Sequence, residues 1–114
     1  MLSGLLILFL LVALGGATLA ILESRGVVPP LPVSAVHGAV GILAIVLLVI
    51  HDVAHPGSHL VNTATLVFIL AACGGLLLFT FRASRQRLPL AVVALHAAFA
   101  LTAILLMTVG WLRA

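Results

Sequence analysis

The stretch HGAVGILAIVLLVIH, residues 37–51, has thirteen uncharged and mostly apolar residues between two histidines. The whole chain has the same character, because 65% of its 114 residues are hydrophobic and only 6% are charged. So little polar sequence cannot cover an exterior that is exposed to water. We therefore expect an all-α integral membrane protein with almost no domain outside the bilayer.

Four apolar stretches follow one another along the chain. They cover residues 2–22, 33–50, 60–81 and 88–112. Each is close to the roughly 20 residues that a helix needs to cross the hydrocarbon core. The first has no basic residues before it and matches an internal span, so we interpret it as a retained helix and not as a signal peptide. The predicted fold is a bundle of four transmembrane helices in a single membrane domain, residues 1–114.

Basic residues lie on the first and third connections between these spans. Four of the five arginines fall within the loops 23–32 and 82–89. The positive-inside rule therefore places both loops in the cytoplasm and both termini outside, and we expect the inner membrane of a bacterium with periplasmic termini. Because the arginines lie at helix ends, we do not expect the chain to bind nucleic acid.

The second half of the chain repeats the first half. When the sequence is shifted by 59 residues, residues 1–55 align with residues 60–114 without a gap. The most informative identical pairs are glycines, prolines and histidines: Gly15/Gly74, Gly16/Gly75, Pro30/Pro89 and His37/His96. The pattern predicts a tandem repeat of two helical hairpins with the same orientation, related by a pseudo-twofold axis along the membrane normal.

The paired histidines and glycines share one depth in the predicted bundle. Gly16 and Gly75 lie seven residues before the basic loops, and His37 and His96 lie seven residues after the loop prolines. At 1.5 Å per residue, all four positions are roughly 10 Å from the same end of the bundle. The position one turn after each histidine is also small, Gly41 or Ala100. We therefore predict one layer of the bundle in which two imidazole nitrogens can bind a ligand and small residues leave space for it.

A histidine inside a membrane span suggests a functional site, because an ionisable side chain is costly there. The alternative is that both histidines only join helices by hydrogen bonds, with the glycines allowing close packing. A flat ligand between two axial imidazoles fits the layer better. Haem b needs histidines from facing helices and a slot for the edge of the macrocycle, for which we assign Gly15, Gly16, Gly74 and Gly75.

Other residues are expected to support such a haem. Ser34, one turn before His37, is a possible partner for the second nitrogen of that imidazole. Arg82 and Arg85, with Arg25 and Arg87, lie at the same end of the bundle and suit the carboxylates of the cofactor. We therefore expect His37 and His96 as axial iron ligands and Arg82 and Arg85 near the propionates.

Histidines on helices 2 and 4, with glycines on helices 1 and 3, resemble the haem-binding bundle of membrane b-type cytochromes. That group includes cytochrome b of the quinol-oxidising complexes, and the resemblance is one of pattern over all four spans. The spacing of His37 and His51 is similar to that of dihaem members, and His51 points within about 40° of the direction of His37. The repeat partner of His51 is Gly110, however, so a second bis-histidine haem has no ligand on helix 4.

The middle connector carries its own pattern, since His51, His55 and His59 are spaced four residues apart. Two histidines at this spacing on a helix can chelate Zn²⁺ or Cu²⁺. Pro56 interrupts the helix before His59. A solvated loop, a metal site, an unconventional second haem ligand, and proton handling by His51 and Asp52 beside a quinone all stay open.

We expect a small b-type cytochrome with one haem between His37 and His96, acting as an electron-transfer protein or as a membrane subunit of an oxidoreductase. Its partners would be the lipid bilayer, a quinone, and a redox subunit or a second copy of the chain. One alternative is a transporter or channel for a metal ion or proton that uses the intramembrane histidines. Another is a structural anchor or assembly subunit, in which the histidines only join helices.

Overall fold

The computed structural model describes residues 1–114 and contains four helices and no strand. They are α1 (Leu2–Ser24), α2 (Leu31–Ala54), α3 (His59–Ala83) and α4 (Leu90–Leu112). Each is long and apolar enough to cross a membrane, and the molecule measures 43 × 21 × 19 Å. The expected four-helix membrane architecture is confirmed, and every predicted span overlaps one helix with its ends within four residues.

The helices end where the local sequence provides a stop or a cap. Pro30 and Pro89 directly precede α2 and α4, where the missing N–H of a proline costs nothing. The hydroxyl of Ser58 caps α3 by accepting a hydrogen bond from the backbone N–H of Val61 at 3.3 Å. The two basic loops turn in the same way, since Gly26 and Arg85, at equivalent positions of the repeat, both have positive φ angles of 72° and 57°.

Each helix packs against the next one along the chain, and α4 packs back against α1. The bundle is therefore closed, with α1 opposite α3 and α2 opposite α4. The second hairpin is packed more closely than the first. Gly110 shows why, because a Cβ at this position would lie only 2.8 Å from Cγ2 of Val61.

Three contacts cross the diagonals of the bundle, and each joins residues that are 59 positions apart. The rings of Phe9 and Phe68 stack with centroids 3.9 Å apart. Arg82 forms an ion pair with Glu23, and the rings of His37 and His96 lie 6.3 Å apart. Contacts between repeat counterparts are expected where a pseudo-twofold axis runs along the bundle.

The buried core fills only one half of the bundle, the half that carries the chain termini and the 55–58 connection. We call this part the terminal half, and the part that carries loops 25–30 and 84–89 the loop half. The buried helical residues are Leu5, Leu6, Phe9, Ala44, Leu48, Val61, Ala64, Thr65, Phe68, Ala71, Ala103, Met107 and Gly110. All of them lie about 18 Å or more from the helix ends at the two basic loops. No helical residue of the loop half is fully buried.

Candidate functional site

The two histidines singled out by the repeat face each other across the axis of the loop half. His37 is on α2 and His96 is on α4, each six residues after the start of its helix. Their ring centroids are 6.3 Å apart, and the ring planes are nearly perpendicular at 86°. The structure therefore brings together the two predicted ligands, which are far apart in sequence.

The glycine pairs lie beside these rings, each pair next to the histidine of its own hairpin. A Cβ on Gly16 would lie 2.9 Å from Cε1 of His37, and a Cβ on Gly75 would lie 3.0 Å from Cε1 of His96. Gly15 and Gly74 contribute wider contacts, at 3.6 Å and 3.5 Å from the same side chains. We expected this volume to receive the edge of a cofactor, whereas in the structure it holds the imidazole rings.

The position one turn after each histidine, further into the bundle, is also occupied by a small residue. A Cβ on Gly41 would meet Cγ1 of Val12 at 3.6 Å, an ordinary contact. Ala100, its counterpart on α4, is partly buried. These two positions therefore add little side-chain volume next to the histidine pair.

The two histidines differ in the hydrogen bonds of their Nδ1 atoms. Nδ1 of His96 donates a hydrogen bond to the carbonyl oxygen of Ala71 at 2.7 Å. Because a carbonyl can only accept, the neutral ring carries its proton on Nδ1 and leaves Nε2 as a free lone pair. Nδ1 of His37 is buried without a hydrogen-bond partner, although the backbone of Val12, the repeat counterpart of Ala71, lies beside the ring. Ser34 does not provide the hydrogen bond that we expected for this nitrogen.

Charged residues collect at the loop end of the bundle. Arg82 forms its ion pair with Glu23 on the opposite helix, with side chains that are 11% and 24% exposed. Arg85 and Arg87 line a cleft of about 440 Å³ beside this pair. The two arginines assigned to the cofactor carboxylates are thus at the predicted end, but the charge of Arg82 is already balanced. The sequence did carry a signal for this pair, because Glu23 and Arg82 are repeat counterparts.

At the opposite end, the three connector histidines do not converge. The rings of His51 and His55 stack with centroids 4.9 Å apart. His59 starts α3 beyond the turn and is exposed. No three histidine, cysteine or acidic side chains in the chain lie together in a way that could hold a metal ion.

Asp52, the expected neighbour of His51, makes a contact that the sequence did not reveal. The hydroxyl of buried Thr65 on α3 donates a hydrogen bond to its carboxylate at 2.5 Å. Oδ1 of Asp52 is 3.6 Å from Nδ1 of His51, and both residues line a cleft of about 420 Å³ together with Trp111. The Asp52–Thr65 contact therefore ties α2 to α3 at the terminal end.

No protein-family model, curated protein or solved structure matches the chain. Its function is therefore inferred from the site itself.

Proposed function

We propose that this protein is a small membrane b-type cytochrome that binds one haem between His37 and His96 and transfers single electrons. The observation that carries the proposal is the 6.3 Å separation of the two ring centroids across the bundle axis. Two metal–nitrogen bonds of about 2 Å each and the two ring radii together span about 6 Å. This agreement in centroid separation supports a metal ion shared by the two rings.

The composition of the donor set favours haem over a free ion. His37 and His96 offer one nitrogen each, and no third side chain of a ligand type joins them. Two imidazoles alone leave a free transition-metal ion with open positions and poor selectivity. A porphyrin supplies four equatorial nitrogens, so two axial histidines complete the coordination of its iron. The same comparison speaks against the transporter alternative, which would need a more complete ligand set.

The packing of the loop half also supports a large apolar ligand at this depth. The closely packed core stops near Phe9, Ala44, Ala71 and Ala103, and no helical side chain beyond it is fully buried. A cofactor in a bundle is held between facing helices, where its apolar area replaces contacts between side chains. The histidine pair lies in the half of the bundle where no helical residue is fully buried.

The chain supplies orientation and charge to this site. The carbonyl of Ala71 fixes the tautomer and the rotation of the His96 ring and makes its free nitrogen a better ligand. Neutral imidazoles let the metal be held without burying two positive charges. When bound, haem iron supplies the one-electron change, while axial ligation, polarity and access are set by the protein.

A redox centre near one surface needs a partner to pass electrons on. We propose a quinone, a redox subunit or a second copy of the chain for this role, on the side of the basic loops. The proposed location is a bacterial inner membrane with those loops in the cytoplasm.

A visible spectrum of the protein, purified in mild detergent from cells supplied with haem, tests the proposal. We expect a Soret band, a sharp α band after reduction with dithionite, and one haem per chain. His37→Ala and His96→Ala should each abolish or convert this spectrum, because each removes an axial ligand. His51→Ala is the matched control, since it removes an imidazole from the same helix at the other end and should leave the spectrum unchanged.

Two results would overturn the proposal. A colourless wild-type protein that tolerates both substitutions would instead favour a structural anchor, with the histidines acting only between helices. A spectrum that is lost in His51→Ala but kept in His37→Ala and His96→Ala would move the haem to the terminal end.

A further inference from the structure

The cleft at the loop end has an unbalanced positive charge. It is lined by Glu23, Val28, Arg82, Arg85, Gln86 and Arg87 and has a volume of about 440 Å³. Glu23 and Arg82 neutralise each other. The guanidinium groups of Arg85 and Arg87 form no ion pair within the chain, so the cleft keeps two positive charges and the many N–H donors of two arginines.

The backbone of Arg85 is set by the way α3 ends, because the N–H groups of Arg85 and the next residue bond carbonyls of the last helical turn at 3.1 Å and 2.9 Å. Its φ angle is 57°, in the left-handed region that is costly for any residue with a Cβ. The equivalent position of the first hairpin is Gly26, which adopts a φ angle of 72° without that cost. The second hairpin thus holds an arginine in a conformation for which the first uses glycine. The strain at Arg85 therefore comes from the end of the helix, and the binding argument rests on the two unpaired guanidinium groups.

We propose that this cleft binds the phosphate group of an anionic phospholipid, with Arg85 and Arg87 as its direct ligands. Arginine binds phosphate oxygens through paired N–H donors, and two free guanidinium groups match one phosphate group. The cleft lies where the membrane-spanning helices end, which is the level of the lipid headgroups. Basic clusters at this level attract anionic lipids in general, and here the two unpaired arginines line the same open cleft. The inference does not depend on haem.

Thermal unfolding in neutral detergent, followed by far-UV circular dichroism, tests the proposal by titration with lipid. Phosphatidylglycerol should raise the Tm of the wild-type protein in a saturable manner, and phosphatidylcholine should not. Arg85→Gln and Arg87→Gln should each weaken the apparent affinity by about tenfold or more, since each removes charge-assisted hydrogen bonds. Arg25→Gln is the matched control, because it removes the same charge from the other basic loop, outside the cleft.

Arg85→Gly separates the binding role from the backbone strain. Glycine is at ease at this φ angle, so the lipid-free variant should have a higher Tm than the wild type, while its stabilisation by phosphatidylglycerol should be lost. If Arg25→Gln and Arg85→Gln weaken the apparent lipid affinity equally, the lipid responds to total positive charge and not to the cleft, and the proposal is wrong. A full lipid response in Arg85→Gly would overturn it as well.

Two further arms identify the source of the anion. Inorganic phosphate at the same concentration should give no comparable shift, and an equal shift would assign the cleft to a soluble phosphate instead of a lipid. The titration is repeated on the His96→Ala variant, where the lipid response should persist. If Arg85→Gln lowers haem content and leaves the lipid response intact, the arginines serve the carboxylates of the cofactor and the lipid site is refuted.

Discussion

Gly75→Ala and Gly38→Ala add the same methyl group to a membrane helix in two different surroundings. At Gly38 a Cβ would meet nothing within 4 Å, whereas at Gly75 it would lie 3.0 Å from Cε1 and 3.4 Å from Nδ1 of His96. Alanine in a helix interior is more stable than glycine by about 0.5–1 kcal/mol. Gly38→Ala should therefore raise the free energy of unfolding by about that amount.

Gly75→Ala receives the same gain but displaces the His96 ring. The ring must retreat by about half an ångström to reach an ordinary contact of about 3.5 Å. Its hydrogen bond to the carbonyl of Ala71, at 2.7 Å, resists this movement. An off-rotamer imidazole costs about 0.5–1.5 kcal/mol, and a weakened hydrogen bond costs up to about 1 kcal/mol. Because both variants receive the same gain, they should differ by the sum of the two costs, about 1.5 kcal/mol.

Equilibrium unfolding of the haem-free protein in mixed micelles, followed by far-UV circular dichroism, measures this difference. Gly16→Ala extends the series, because its Cβ would lie 2.9 Å from Cε1 of His37, whose Nδ1 has no hydrogen bond to lose. Its stability should fall between those of the other two variants. If Gly75→Ala gains as much stability as Gly38→Ala, the His96 ring does not lie in the space beside Gly75 and the reasoning is refuted.

Two further predictions concern contacts outside the histidine layer and use the same unfolding measurement. Gly110→Ala places a Cβ 2.8 Å from Cγ2 of Val61, so it should lower the free energy of unfolding by about 1–3 kcal/mol through overpacking. In a protein that already carries Val61→Ala, the same substitution should cost less, because the methyl group that it meets is gone. Glu23→Gln should cost about 1–2 kcal/mol, because it leaves the guanidinium of Arg82 without its charged partner. A double-mutant cycle of Glu23→Gln and Arg82→Gln should then show a coupling of about 1 kcal/mol, and independent effects of the two substitutions would contradict the ion pair.

The four helices could be predicted because each is a long apolar run between polar breaks. The predicted ends were least accurate at the end of α2, which continues to Ala54 and not to residue 50. Hydropathy falls at His51 and Asp52, but nothing in those residues stops a helix. The first strong stop is Pro56, since a proline disfavours helix in the residue before it. Apolar length therefore locates a span, while proline and glycine determine where its helix ends.

The approach of His37 to His96 could be predicted from their equal depth in the bundle and from the sequence repeat. Which side chain fills the space beside each glycine pair could not be predicted. Sequence spacing gives the height of a residue in a helix to within a turn. It does not give the rotation of neighbouring helices closely enough to decide which side chain fills a gap. Gly75 and His96 are at the same height in one hairpin, so contact between them was the simpler expectation. The diagonal pairs Phe9/Phe68 and Glu23/Arg82 were equally implied once a twofold axis was assumed.

The repeat is kept in one half of the bundle and has diverged in the other. In the loop half the two hairpins keep equivalent histidines and glycines, so two imidazole rings meet at the axis. In the terminal half they have diverged, with Gly110 at the position equivalent to His51. That divergence lets α3 and α4 pack closely around the buried core, which includes Leu48 and Met107. A closely packed core tolerates volume changes poorly, whereas a volume change at the histidine layer meets an imidazole ring. Substitutions in the terminal half should therefore act on unfolding through the core, and those at Gly16 and Gly75 should act through the position of a ring.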